Sequence, residues 1–221
     1  MSPVLTFLSL AITDAMNPFT VASMAMLLAL DRAVARGAIF AVTTFIIYLI
    51  FAVLLAEGWT AAIASLLPML PVWVPGALLL ILAVVCVGFA IRLWLSPPKA
   101  GAGTTLAAAL TLSRTAVFAI VSTLSDLPTA VPLFAAVTQL PPLAEGRTGQ
   151  YAWLAGYTLV YVAPLLLLLG LRVALGTRAD AALARVLSGV EWGFRHLLPP
   201  VLLIAGGVAG WSGIARLTGA M

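Results

Sequence analysis

Charge is what this sequence lacks. Of 221 residues, eleven are Lys or Arg and seven are Asp or Glu, 8% in all, where an ordinary soluble domain carries about 25%. Apolar residues make up 63%, and the mean hydropathy is +1.18. A water-soluble fold of this length would still need polar surface, so lipid must replace water around most of the chain. Cysteine is equally scarce. Cys86 stands alone inside an apolar run, which excludes an intrachain disulfide, a CxxC redox pair and a cysteine metal cluster and leaves a packing role. The single histidine, His196, excludes a histidine cluster; beside Arg195, at the inner end of the last apolar stretch, it reads as interfacial. The basic residues are scattered singly, so the net charge of +4 carries no nucleic-acid footprint. The first apolar stretch lacks a basic leader and a cleavage site, and is expected to be a retained span rather than a removed signal peptide.

What is present is a series of long apolar runs. A bilayer core about 30 Å thick takes about 20 apolar residues per helix, and six runs qualify, at 4–29, 37–56, 74–95, 115–139, 151–172 and 197–217. Between them lie a charged turn at Asp31 to Gly37, the prolines Pro68, Pro71 and Pro75, the Pro97-Pro98 pair with Lys99 and Gly101, and Pro141-Pro142. The stretch Thr177 to His196 mixes Arg178, Asp180, Arg185, Glu191 and Arg195 with Leu183, Val186, Leu187, Val190 and Trp192. It suits an amphipathic helix at the membrane surface, with a solvated loop as the alternative. The expected fold is therefore an all-α integral membrane protein of six transmembrane helices.

Positive residues collect in short cytoplasmic loops. With the first, third and fifth loops inside, Arg32, Arg36, Arg92, Lys99, Arg114, Arg172, Arg178, Arg185 and Arg195 lie on one side, and only Arg147 and Arg216 on the other. Both termini are then expected outside. An odd number of spans would scramble this bias. Glu57 with Trp59, and Glu145 with Arg147, read as markers of the outer boundary.

Two acids break the apolar pattern: Asp14 in Thr13-Asp14-Ala15-Met16-Asn17-Pro18, and Asp126 in Ser125-Asp126-Leu127-Pro128-Thr129. An Asp at mid-span costs about 2.5–3.5 kcal/mol on insertion scales, so both are expected to face the protein interior. Asn17 before Pro18 reads as a capped helix start, and Asp126 is expected to cap in the same way. Pro128 and Pro132 deprive the preceding turn of donors, so the first and fourth helices are expected to be broken. A half-helix N-terminus offers amides and positive dipole, and unwound carbonyls and carboxylates offer cation ligands. The bland reading is a proline kink whose polar neighbours only satisfy the backbone.

Duplication tips the balance. The two acids are separated by about half the chain and fall in the first and fourth spans. Residues 1–100 and 101–221 thus read as two three-helix repeats of one transmembrane domain. The second enters from the opposite face, and the site is expected at the repeat interface. The first-rank candidates for substrate or ion binding are Asp14, Asn17, Pro18, Thr20, Asp126, Pro128 and Thr129. Second-rank candidates are Thr13, Ser125, Pro132, Tyr157 and Tyr161, the two tyrosines lying with Pro164 in the fifth span. Thr43, Thr44, Tyr48, Ser122 and Thr123 are further polar residues on the spans, and the Ser and Thr hydroxyls among them can be satisfied on their own helices. No catalytic residue is expected, because no nucleophile with a base converges on the acids.

At these motifs the chain resembles the lysine exporter (LysE) superfamily, compact six-span proteins of two three-span repeats. Asp14-Ala15-Met16-Asn17-Pro18-Phe19-Thr20 and Asp126-Leu127-Pro128-Thr129-Ala130-Val131-Pro132 are most similar to the glycolipid-addressing protein (GAP) family. A more distant likeness is to CcdA-type thiol carriers, which need a cysteine in each half; this chain lacks them. The resemblance implies a prokaryotic cytoplasmic (inner) membrane protein that exports a small molecule or amphipathic lipid without a cofactor. Asp14 and Asp126 would then bind a coupling proton or cation. The metal, the substrate and assembly as a homo-oligomer are left open. The competing expectation is a non-catalytic membrane partner of a cell-envelope or lipid-modifying complex.

Overall fold

The computed structural model describes residues 2–59, 71, 73–95, 111–127, 130–196 and 198–218. Among these residues there are helices and no strands. In chain order they are α1 (Pro3–Ala15), α2 (Pro18–Leu28), α3 (Ala33–Leu54) running into a π-turn (Leu55–Trp59), α4 (Trp73–Leu95), α5 (Leu112–Asp126), α6 (Val131–Val137), α7 (Leu140–Leu143), α8 (Arg147–Leu175), α9 (Asp180–His196) and α10 (Leu198–Leu217). Three helical stretches, Ala33–Gly58, Arg147–Val190 and Pro199–Leu217, are long and apolar enough to cross a membrane. The count rises to five if α1 with α2 and α5 with α6 each form one bent span; α4 holds a shorter apolar stretch, Gly76–Arg92.

The helices of one compact unit, Met1–Trp59 with Gly103–Leu187, show why lipid is their solvent. On α3 the small or polar residues Gly37, Ala41, Thr44, Tyr48 and Ala52 are buried at three- and four-residue spacing. The stripe Val42, Ile46, Ile50 and Leu54 stays exposed. One side of the helix therefore meets protein and the other presents unbroken hydrocarbon. On α1, Phe7 and Ala11 are buried while Leu5, Leu8 and Ile12 are exposed.

Side-chain contacts fix the helix directions. Phe40 meets Phe118, and Thr44 meets Thr123, at nearly constant sequence separation, so α3 and α5 run parallel. Phe7 touches Trp153 and Tyr157, and Thr20 reaches Tyr161, so the α1–α2 pair runs parallel to α8. Tyr48 stacks on Tyr161 whereas Glu57 binds Tyr151, which makes α3 antiparallel to α8.

The second compact unit, Thr60–Ala102 with Ser188–Met221, pairs α4 with α10. Glycines let these helices meet: a Cβ on Gly213 would lie 3.0 Å from the Gly76 carbonyl oxygen, and one on Gly206 would lie 2.8 Å from Val87 Cγ2. Each unit draws on both the 1–100 and the 101–221 segment. Of the two expectations for Thr177 to His196, the helix holds: α9 follows a 3-10 turn and buries Leu183 while Arg185 and Trp192 are exposed.

Candidate functional site

The break between α1 and α2 is built as its residues dictate. Pro18 has no amide hydrogen and opens α2. The Asn17 carbonyl side-chain oxygen accepts from Phe19 N at 2.9 Å and Thr20 N at 3.5 Å. The helices bend by 50° there. The second break, between α5 and α6, bends by 73°. Its mechanism differs from the sequence expectation. Asp126 ends α5 instead of capping α6, and Ala130 precedes α6 with no side-chain cap. The carboxylate is drawn away by partners on α2, which a residue-by-residue reading could not show. Pro132 lies in the first turn of α6; Pro128 and Thr129 fall outside the described residues.

Asp14, at the end of α1, is 8% exposed. Its Oδ2 accepts from Tyr157 of α8 at 2.9 Å and from the Tyr48 hydroxyl of α3. Across the site, Thr20 Oγ1 donates to Asp126 Oδ2 at 2.9 Å. With its proton so committed, Thr20 accepts from the Tyr161 hydroxyl at 3.2 Å. The Asn17 side chain also hydrogen-bonds both Asp126 and Tyr161, the amide nitrogen being the group left to donate. The rings of Tyr48 and Tyr161 stack with centroids 4.0 Å apart and planes 14° from parallel. The two acid clusters are thereby joined into one buried assembly, Asp14–Tyr48 against Tyr161–Thr20–Asp126.

Six of the candidates, Asp14, Asn17, Thr20, Asp126, Tyr157 and Tyr161, meet here, while Pro18 shapes the break. Thr13 and Ser125 do not take part. Both are exposed and bond the carbonyls of Ser9 and Val121, each at 2.8 Å, on their own helices. Their positions one residue before each acid turn them onto the outer helix face. Tyr48, which no proline or acid neighbours in the sequence, joins the assembly as well. Its signal was the small and polar face Gly37, Ala41, Thr44, Tyr48, Ala52 inside an otherwise uniform span.

The partners of Asp14 are phenol hydroxyls, whereas Glu57 pairs with Arg147 at 3.3 Å and Arg172 with Asp180 at helix ends. Glu57 also accepts from Tyr151. No group of three His, Cys, Asp or Glu side chains forms a metal site among the described residues. A shallow groove along α4, lined by Ala83, Val84, Val87, Gly88 and Ile91, offers no chemistry-bearing side chain.

The family model that matches this architecture is Sap, sulfolipid-1-addressing protein, over residues 7–215, which takes in both broken helices and every residue of the acid assembly. The chain belongs to the sulfolipid-1-addressing protein family. No curated protein matches it, and no solved structure matches it. As a sulfolipid-1-addressing family member, the chain is a lipid-associated membrane protein. The match extends from Phe7 to Ala215, so it rests on nearly the whole chain and not on the two short motifs alone.

Proposed function

We propose that this protein is a small secondary transporter that moves an amphipathic anionic lipid, of the sulfated glycolipid class its family description names, across the cytoplasmic membrane. The observation that carries the reading is the buried assembly linking both carboxyl groups across two interrupted helices. An acid in a membrane interior is retained against its insertion cost for a reason. Here Asp14 is met by hydroxyls, which tolerate both its protonated and its charged form. Loading and release of a proton or small cation would then change the fit between α1–α2 and α8, which is how a gradient drives alternating access. The reaction is a movement and needs no enzyme chemistry.

Six spans built as two inverted repeats, as in the lysine exporter superfamily, are part of the proposal. The parallel run of α3 and α5 supports a further crossing by the chain between them, which among the described residues holds α4. The paired contacts support an internal two-fold: α1 packs on α8 as α5 packs on α3, and the Tyr48–Tyr161 stack joins the two copies' second spans. The excess of arginines on the inner loops suits collection of an anionic headgroup there, and both termini then lie outside.

The test is flux of a fluorescent-acyl sulfated glycolipid in proteoliposomes under an imposed pH gradient. Asp14→Asn with Asp126→Asn is expected to abolish the gradient-dependent component; undiminished flux rejects the mechanism. Flux that needs a copurifying enzyme would favour the accessory role in an envelope complex.

A further inference from the structure

The seam between α3 and α5 is layered. Moving along both helices from the acids toward their N-termini, Tyr48 on α3 and Asp126 on α5 come first. Thr44 and Thr123 follow, hydrogen-bonded at 3.4 Å. Next come the rings of Phe40 and Phe118, with centroids 5.9 Å apart, and last Arg36 and Thr115. Neighbouring layers are separated by three to five residues on each helix, about one helical turn. The helices begin beside Arg32 and Arg114, at the end that carries the inner arginines.

Ser122, next to Thr123 on α5, lacks what its neighbours have. Ser122 is 4% exposed, and its Oγ meets no hydrogen-bond partner among the described residues. A serine or threonine in a helix ordinarily bonds the carbonyl four residues back, as Thr115, Ser125 and Thr158 do here. Ser122 does not, although a buried hydroxyl without a partner is costly and is ordinarily met by water or an ion. The equivalent depth in the α1–α8 seam is filled by Tyr157, whose hydroxyl reaches the Leu10 carbonyl and Asp14. The polar layer is therefore one-sided.

Resting on the transport reading, we infer that this seam is the inner passage of the site. Ser122, with Thr44 and Thr123, binds the water that carries a proton between Asp126 and the arginine-bearing end, and the Phe40–Phe118 pair is the plug that closes it. Ser122 stands one turn before Asp126 on the same helix face, so water held there is the next station for a proton leaving that carboxyl group. Phe40 is fully buried, and together with Phe118 it places apolar bulk between this layer and the helix ends. Opening the passage requires the two rings to part.

The test is thiol accessibility in the full chain with Cys86→Ser and Ser122→Cys, using a charged, membrane-impermeant methanethiosulfonate on vesicles of either orientation. Slow reaction is expected with the plug intact. Adding Phe118→Ala is expected to raise the rate at least tenfold, only from the face bearing Arg32 and Arg114. Phe40→Leu, which keeps more of the core filled, is expected to act in the same direction if Phe118→Ala does not accumulate. Val121→Cys, on the exposed face of α5, serves as the unreactive control. An unchanged rate in the plug variants, or reaction from the opposite face alone, overturns the inference. Labelling needs no substrate, so it can fail while gradient-driven flux survives, and the reverse.

Discussion

Tyr48 and Tyr161 lie 113 residues apart in the sequence, yet their rings stack with centroids 4.0 Å apart, the Tyr48 hydroxyl on Asp14 and the Tyr161 hydroxyl on Thr20, which in turn holds Asp126. The separation nearly equals that between Asp14 and Asp126. The stack is one of several contacts between the first and second halves of the chain, and it joins the Asp14 cluster to the Thr20–Asp126 cluster.

Tyr48→Phe keeps the ring and removes the donor to Asp14. A hydrogen bond to a charged group contributes about 1.5–3 kcal/mol and one to a neutral group about 1 kcal/mol. Thermal unfolding in detergent is expected to show a loss within that range. Tyr48→Leu should cost about 0.5–1.5 kcal/mol more, because the aromatic pairing with Tyr161 goes too. Equal losses for the two variants would mean that the stack contributes nothing.

Thr20 holds both Asp126 and Tyr161 through one oxygen. Thr20→Val preserves shape and removes that relay, whereas Thr20→Ser keeps it. Gradient-driven glycolipid flux is expected to fall at least tenfold in the valine variant and to stay within about threefold of wild type in the serine variant, a contrast of about 0.7 kcal/mol or more at the barrier. A packing role alone would reverse the order.

Asn17 has two tasks, capping α2 and bonding Asp126 and Tyr161. Loss of a cap costs about 1 kcal/mol. Asn17→Ala is expected to lose stability by that amount and to lose flux. Asn17→Ser, which still caps but is too short to reach across, should recover much of the stability and little of the flux, as read by unfolding and transport on the same preparations.

Gly206 and Gly207 are adjacent and differ in what they face. A Cβ on Gly206 would sit 2.8 Å from Val87 Cγ2 and 3.2 Å from the Ala83 carbonyl oxygen, while one on Gly207 meets nothing within 4 Å. Gly206→Ala is expected to cost about 1–3 kcal/mol by overpacking. Gly207→Ala should be neutral or stabilising through helix propensity. Comparing thermal midpoints of the two variants checks the α4–α10 contact.

The breaks after Asp14 and Asp126 were legible in sequence because proline acts locally: Pro18 and its capping Asn17 need no tertiary context to start a helix. The capping role expected of Asp126 failed for the opposite reason, since its partners Thr20 and Asn17 are more than 100 residues away. Thr13 and Ser125 show the same limit. Their neighbourhood in the motif suggested a role, but the 100° turn per residue puts each on a different face from the acid beside it.

The sequence alone determined that this chain lives in lipid, where its apolar stretches begin and end, and where two of them break. Hydropathy and proline stereochemistry depend on the residue and its immediate neighbours. Only the tertiary structure decided which hydroxyls meet which carboxyl group, that Tyr48 belongs to the assembly, and that Ser122 is buried without a hydrogen-bond partner among the described residues. Those outcomes depend on how each helix is rotated against another, and that rotation is set by packing between segments far apart in the chain.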